Sequence, residues 1–425
     1  MAGFFRYLVS PRCVAPIVLG VAVIAAVPRL DAFAAEGNEL VGIGAVQLGT
    51  AGAGIAAPKD ATWALLNPAG MVDLERRIDI GIEAIFLERK VEPRGPLIIF
   101  NFQVPEEDII LSLANNDAGT MADSSPLFSP ALGLIWPFED WTLGVGIFGV
   151  QGNAVEYPRS RTIPGRRRDN ADRRAELQVI KIPFSAAYRF PNDWAIGAAL
   201  LGVYTRLRTD SLTLDLVPTE GDYRWDDSFG FGFKFSVYRR WDRWSIAAAY
   251  TTRQWCSEFR KYRDLVAYHL DQPQQVQVGV AYRPWPRLEL VADYKYINWS
   301  GISQIGRQAV RGGLGWEDQH IFKIGTTWRI SRLWTVRCGF SYGESPVPRD
   351  AIFTNVLFPA ISEKHIAAGV SYRLTSKADI HLAYMHAFKN EVTESGKGDI
   401  FSAAGRGTEF SLEQHSAALQ FSYKF

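Results

Sequence analysis

The closing stretch His415-Ser-Ala-Ala-Leu-Gln-Phe-Ser-Tyr-Lys-Phe425 decides how the chain is read. Ala417, Leu419, Phe421, Tyr423 and Phe425 are apolar, and Ser416, Ala418, Gln420, Ser422 and Lys424 between them are small or polar. A period of two marks a β-strand with one apolar and one polar face. A run that ends on an aromatic, with no capping element after it, suits the wall of a transmembrane β-barrel. There the apolar face meets lipid and aromatics sit at the interfaces. Taken alone, the stretch suits the edge of a soluble sandwich equally well.

The same alternation recurs upstream. Ile78, Ile80, Ile82, Ala84 and Phe86 alternate with Asp79, Gly81, Glu83 and Ile85, and Phe229, Phe231, Phe233 and Phe235 with Gly230, Gly232 and Lys234. Val276–Tyr282, Trp334–Tyr342 and Ile366–Tyr372 repeat it. Connection lengths discriminate better than the pattern. Tight turns at Pro137–Asp140, Phe190–Asp193, Arg240–Asp242, Arg283–Pro286, Ser331–Arg332 and Thr375–Lys377 alternate strictly with long polar connections near 92–126, 158–175, 209–225, 257–273, 301–316, 344–361 and 391–410. Short periplasmic turns and long outer loops are the asymmetry of outer-membrane barrels. The count predicts fourteen antiparallel strands, an all-β transmembrane barrel spanning 77–425. Trp194, Trp244, Trp285 and Trp334 by the short turns, with Tyr188, Tyr238, Tyr282 and Tyr372, are expected to form the inner aromatic girdle.

Composition agrees. The net charge of +1 argues against nucleic acid as a partner. After residue 30 no apolar run approaches the roughly 18–20 residues of a membrane helix, so a membrane crossing must be a closed sheet. Residues 1–35 read as a secretory signal: Arg6 and Arg12, the apolar run Val14–Val27, then Ala32-Phe33-Ala34. A single membrane anchor is the alternative. Cys13 leaves with the signal. Cys256 and Cys338, expected on strands seven and eleven with both side chains outward, should be free.

Fourteen strands enclose a lumen wider than the eight-stranded case that side chains fill, yet narrower than an open porin. The segment 36–76 is rich in small residues and lacks strand alternation, so it is expected to block that lumen as a plug of short helices. Within it, Gly52-Ala-Gly-Ile-Ala-Ala-Pro-Lys-Asp-Ala-Thr-Trp-Ala-Leu-Leu-Asn-Pro-Ala-Gly-Met71 resembles the N-terminal hatch of the long-chain fatty acid and hydrophobic-compound transporter family (FadL/TodX). The matching hatch residues are Asp60, Asn67, Pro68 and Ala69. Further islands follow in order: Gly144–Tyr157 is similar to the family's third strand, Asp226–Lys234 to its sixth and Tyr296–Ser300 to its ninth. Phe340–Pro348 and Tyr384–His386 are similar to parts of its eleventh and thirteenth. The resemblance covers essentially the whole chain after the signal.

It implies a monomeric bacterial outer-membrane barrel that binds a hydrophobic ligand in the lumen and releases it sideways at a kinked third strand. Gly146, Gly149 and Gly152 recur every third position there, and glycine inside a strand marks a bulge or bend. They could instead only relieve crowding against the plug. Val150-Gln151 depart from the Asn-Tyr that the family often carries at this point.

Alternation also places Glu83, Lys181, Arg189, Glu289, Asp293, Lys295, Lys323, Arg329, Arg337, Arg373, Asp379, His381 and Lys424 inside. Such charges tether a plug or, for cations such as Lys181, Arg189, Lys323 and Arg337, meet a ligand carboxylate. Trp63, Leu65 and Leu66 either line an apolar pocket or pack the plug. The basic loop Pro158–Arg174 is a candidate for lipopolysaccharide phosphates, or is simply solvated. No cofactor or metal is expected. His386 falls on the opposite face from His381 and Asp379, and no nucleophile elbow or metal-ligand spacing is present, so an enzyme is disfavoured. The alternative function is a general or ion-selective diffusion porin.

Overall fold

The computed structural model describes residues 36–92, 98–104, 107–113, 120–121, 126–157, 173–209, 224–262 and 269–425. Residues 1–35, read from the sequence as a secretory signal, and nearly all of the Arg-rich connection 158–174 lie outside these residues. Fourteen long strands form the wall: β1 Arg77–Glu92, β2 Leu127–Pro137, β3 Trp141–Tyr157, β4 Arg173–Arg189, β5 Trp194–Thr209, β6 Asp226–Arg240 and β7 Trp244–Thr251, then β8 Gln275–Trp285, β9 Leu288–Ile297, β10 Gln319–Arg329, β11 Trp334–Gly343, β12 Lys364–Arg373, β13 Ala378–Thr393 and β14 Glu409–Lys424. Each pairs antiparallel with its sequence neighbours, and β14 closes on β1 over the register Arg77↔Lys424 to Glu92↔Glu409. Two-residue pieces at Thr120–Met121 and Trp255–Cys256 add to the edges of β1 and β6. No helix among the described residues is long and apolar enough to cross a membrane. The crossing is made by strands.

Side-chain parity follows the sequence. Phe229, Phe231, Phe233 and Phe235 of β6 point outward, as do Ile80, Ile82 and Phe86 of β1 and Leu419, Phe421 and Phe425 at the closing end. Trp244 stacks on Tyr282 at 4.2 Å, Trp334 meets Tyr372 at 4.6 Å and Trp141 meets Tyr188 at 4.9 Å, forming a girdle at the short-turn end. The Arg76 guanidinium lies over the rings of Trp136 and Phe425 at the seam.

Two expectations are corrected. Tyr238 belongs to the opposite parity from Phe235, so it is buried inside, where its hydroxyl donates to Asp73 Oδ2 at 2.8 Å. Cys256 lies beyond the end of β7. Thr252–Gln254 interrupt the period there, Gln254 bridges to Gln272, and the chain turns inward, so Cys256 is buried against Phe259 and Tyr262. Cys338 does face outward, and both thiols are free.

Inside the wall sits the segment from Glu36 to Arg76. Helix α1 (Gly44–Leu48) and helix α2 (Trp63–Leu66) have five and four residues. Helices so short are unstable alone and take their stability from packing. Asn67 ends α2 and caps the 3₁₀ turn Pro68–Asp73 by accepting from Gly70 N. Pro68 sits at the first position, where its missing N–H costs nothing. The plug presses directly on strand backbone. A Cβ at Gly197 would lie 2.2 Å from Ala69 N, and one at Gly339 2.2 Å from Thr50 C. Gly52 adopts φ +74° beneath Val41 O, a conformation and a closeness that glycine alone accommodates.

Above the plug, toward the long connections, the lumen is apolar. Trp299, Ile302, Trp316, Val356, Leu357 and Ile361 from the connections 298–318 and 344–363 pack against Val155, Tyr157 and Phe410 of the wall. Alternation alone had expected a wetter interior. On β4 and β5 inward positions such as Leu177, Val179, Leu201 and Val203 are apolar as well.

Candidate functional site

The plug is held by hydrogen bonds and ion pairs that reach almost every part of the wall. Asp293 Oδ2 of β9 accepts from Gly54 N at 2.8 Å and Ile55 N at 2.9 Å. Ser185 of β4 and Ser245 of β7 donate to Ala64 O and Ala56 O, each at 2.6 Å. Asn67 Nδ2 and Trp63 Nε1 both donate to Ile55 O, which binds the two halves of the plug together. Ala69 N donates to Ser236 Oγ at 2.8 Å. Asp60 accepts from Thr62 and, at 2.8 Å, from Gln420 Nε2 of the closing strand. Burial, with Asp79 close by, raises the Asp60 carboxyl above its ordinary range.

A small cavity of about 50 Å³ lies where the plug's first turn meets the wall. Two glutamates of the plug, Glu36 and Glu39, and four wall lysines, Lys181, Lys234, Lys295 and Lys323, line it. Lys295 Nζ donates to Glu36 Oε2 at 2.8 Å and to Glu39 Oε2 at 2.7 Å. Lys323 pairs with Glu36, and Lys181 Nζ stands 3.6 Å from Glu39 Oε1. Gln275 donates to Glu39 at 2.7 Å. Burial pushes Glu39 up, but Lys295 and Lys181 outweigh it and bring the carboxyl down to about 2. Lys234 has only the Leu66 carbonyl at 3.2 Å and no ion-pair partner among the described residues. The cluster therefore sets four lysines against two glutamates. Ile43, Leu65, Leu66, Val150 and Leu201 supply its apolar side.

This places the four cations singled out in the sequence. Lys181 and Lys323 face the cavity. Arg189 lies at the short-turn end, where it pairs with Asp73 and donates to Val72 O. Although burial pushes Asp73 up, Tyr238 and Arg189 more than offset it and hold the carboxyl low. Arg337 donates to Ser371 Oγ at 2.5 Å at the floor of a separate vestibule lined by Arg240, Arg283, Arg287, Arg329 and Arg373. Arg329 and Arg373 are exposed at its rim. Leu65 and Leu66 line the cavity, whereas Trp63 packs among Ala61, Met71, Ile135 and Ala187. Sequence reading missed Glu36, Glu39 and Lys234. The two glutamates lie outside any periodic element, and the inward parity of Lys234 was legible but was not used.

Directly beside the cavity the wall changes. Outward and inward positions alternate along β3 as far as Ile147, and then Phe148, Gly149, Val150 and Gln151 are all buried in succession. The β3–β4 register shifts at Val150, between Gly149 and Gln151. On the other side β2 pairs with β3 only from Pro137↔Thr142 to Ala131↔Phe148. From Gly149 to Tyr157, β3 has no ladder to β2, and Leu127–Pro130 pair with β1 alone.

Backbone left unpaired inside a membrane must find other partners, and here it does. Leu40 N donates to Val150 O at 2.9 Å, and Ser129 Oγ to Gly149 O at 3.1 Å. Glu39 bridges to Gln151, and Arg89 of β1 donates to Ala154 O and to Asn153 Oδ1. A Cβ would collide with a neighbour at two of the three positions. A Cβ at Gly146 would lie 2.3 Å from the Phe148 ring, and one at Gly149 2.3 Å from Ser129 Oγ. At Gly152 it would meet only Leu127 Cδ1, at 3.4 Å.

A closed fourteen-stranded barrel with lipid-facing aromatics and an internal N-terminal plug defines an outer-membrane channel protein. The chain belongs to the family of outer membrane transport proteins (OMPP1/FadL/TodX), whose pattern matches residues 26–220 and 266–425. Its place is accordingly the bacterial outer membrane. Among curated relatives it is 22% identical over 292 residues to a long-chain fatty acid transport protein of Escherichia coli O6:H1, a match spanning 55% of this chain and 65% of that protein. Among solved structures it is similar to the Pseudomonas putida toluene transporter TodX, with a TM-score of 0.67 and 16% identity over 91% of this chain and 99% of the other. A Pseudomonas aeruginosa FadL homologue gives a TM-score of 0.65 and 15% identity over 93% and 100%.

Proposed function

We propose that the protein takes up hydrophobic molecules across the outer membrane as a monomer. The ligand is captured among the long connections, held in the apolar lumen above the plug and released sideways between β2 and β3. One observation carries this reading: the lumen is closed toward the short turns by the plug, while the wall is unladdered from Gly149 onward, next to the cavity. A diffusion porin needs an open aqueous lumen. Here the plug closes the lumen toward the short turns, with Val41, Ala45 and Leu48 packed against Ala367, Ala383 and Met385 of the wall.

The surplus of lysines over glutamates beside apolar Leu65, Leu66 and Leu201 favours an amphiphile with a carboxylate head over a plain hydrocarbon. Lys181 and Lys323, with Lys234, are the contacts assigned to that head. The names of the relatives, a long-chain fatty acid transport protein and a toluene transporter, span both ligand types.

The test compares uptake of labelled fatty acid and of labelled toluene by cells carrying the protein, cells lacking it, and cells carrying Asn67→Ala or Gly152→Trp. A Cβ at Gly152 meets only Leu127 Cδ1 of β2, at 3.4 Å, so tryptophan there is placed to reach across the gap toward β2. Fatty-acid uptake should fall in Gly152→Trp while ligand binding to the purified barrel persists. Equal uptake with and without the protein refutes transport. Unchanged uptake in a folded Gly152→Trp refutes lateral release, and large ion conductance by the native protein favours the porin.

A further inference from the structure

On the outward face of the wall, next to the closing seam, two imidazoles and a carboxylate converge. His386 of β13 and His415 of β14 are direct cross-strand partners, with ring centroids 4.7 Å apart. Nε2 of each lies 3.7 Å from Glu413 Oε1. All three side chains are partly exposed, and one ligand atom from each lies within 4.8 Å of the others. The Tyr384 hydroxyl stands 2.7 Å from His415 Nδ1.

A second observation points to a cation at the same place. Glu88 of β1 is the register partner of Glu413 across the seam, and its side chain is exposed on the same outward face. Like charges directly opposite on adjacent strands destabilise a sheet. Lys389 pairs with Glu391 and lies within electrostatic reach of Glu413 as well, Lys90 pairs with Glu92, and among the described residues no ion pair reaches Glu88. A divalent ion held by Glu413 would remove the conflict.

We propose that His386, His415 and Glu413 bind a divalent transition-metal ion of the zinc class. Imidazole nitrogens select zinc, copper or nickel, whereas calcium and magnesium take oxygen donors. Bonds of about 2.0–2.2 Å in a tetrahedral site set the ligand atoms roughly 3.3 Å apart, so each Nε2 has to close on Glu413 Oε1 from 3.7 Å, and the three ligand atoms have to contract from a spread of up to 4.8 Å by side-chain rotation. With both Nε2 atoms on the metal both Nδ1 atoms carry hydrogen, so the rings must turn to part the two Nδ1 atoms, now 3.3 Å from each other, and His415 Nδ1–H donates to the Tyr384 hydroxyl, the outer contact that fixes ring orientation in histidine metal sites. The ion would clasp β13 to β14 one strand from the seam. Sequence spacing could not reveal the site, because its two histidines meet across strands rather than along one.

The test uses the tag-free full chain in detergent, stripped with chelator and titrated with Zn²⁺ and separately with Ca²⁺ by calorimetry. One Zn²⁺ per chain should bind, and Ca²⁺ should bind far more weakly. His386→Ala and His415→Ala should each abolish stoichiometric binding. Tyr384→Phe should weaken it by roughly 10–100-fold. His320→Ala should leave it unchanged: His320 has a similar tyrosine contact, from Tyr294 at 2.7 Å, but belongs to no such cluster. These side chains are partly exposed, so heat-modifiable gel migration can confirm that every variant is folded. The proposal is overturned if the native chain takes up no stoichiometric Zn²⁺. It is equally overturned if both histidine variants bind like the parent, or if Ca²⁺ binds as tightly as Zn²⁺.

Discussion

Lys295→Met is the most informative single perturbation of the plug. Its ammonium is the shared donor to Glu36 and Glu39, at 2.8 and 2.7 Å, and all three groups are buried. Methionine keeps the length of the side chain but strands two carboxylates. Removing one partner of a buried ion pair costs about 3–5 kcal/mol. Lys323 still holds Glu36, and Lys181 and Gln275 still hold Glu39, so the lower end of that range applies. The loss falls on the plug's first turn rather than on the ladder of the wall. The amide of Leu40 reports it, because its N–H donates to Val150 O only while that turn is docked. A cost of about 3 kcal/mol makes local opening roughly a hundredfold more frequent.

Hydrogen exchange of residues 36–43, followed by mass spectrometry, should therefore accelerate by about that factor. Strand amides such as those of β6 and β13 should keep their protection. Neutralising the stranded acids in the triple variant Glu36→Gln, Glu39→Gln, Lys295→Met should restore most of the protection, since a buried pair replaced on both sides is often near neutral. If exchange at Leu40 is unchanged in Lys295→Met, the ion pairs do not hold the plug and the reasoning fails.

Other consequences are checked in the same preparations. Gly149→Val should lower thermal stability by about 1–3 kcal/mol through overpacking against Ser129, whereas Gly152→Ala should match the parent. Glu39 has its carboxyl depressed to about 2 in the fold, against roughly 4.3 free, so its contribution is complete above pH ~4.3 and is lost only as the pH falls toward about 2. Exchange at Leu40, corrected for its intrinsic pH dependence, should hence stay constant from neutral pH to about 4.5 and rise below it. Buried Cys256 should resist maleimide in the folded barrel and react after unfolding, and no disulfide to Cys338 should be found by mass spectrometry.

The wall was legible because lipid imposes one rule on every strand, and runs such as Phe229–Phe235 obey it without interruption. Strand count and turn positions followed from the same rule. Parity was sufficient to turn Lys181 and Lys323 inward. It could not name their partners, because Glu36 and Glu39 lie in a segment without period and meet Lys295 across more than 250 residues of sequence. The glycines of β3 announced a bend, but not that the ladder to β2 would end at Phe148, since β2 itself runs on to Leu127 and parts from β3 there. Tyr238 and Cys256 were misplaced for two different reasons. The first was grouped by residue type against its own parity, and the second lies past the break in the period at Thr252–Gln254.

Gln420 sits on the strand that closes the barrel and holds Asp60 in the plug. Its register against Gly81 is what places it there. A slip of β14 by two residues would keep every apolar side chain facing lipid, yet would withdraw Gln420 and leave the buried Asp60 without that donor. Parity alone cannot penalise such a slip, and the plug does. The segment that obstructs the finished channel thus also favours one register of the last strand against the first.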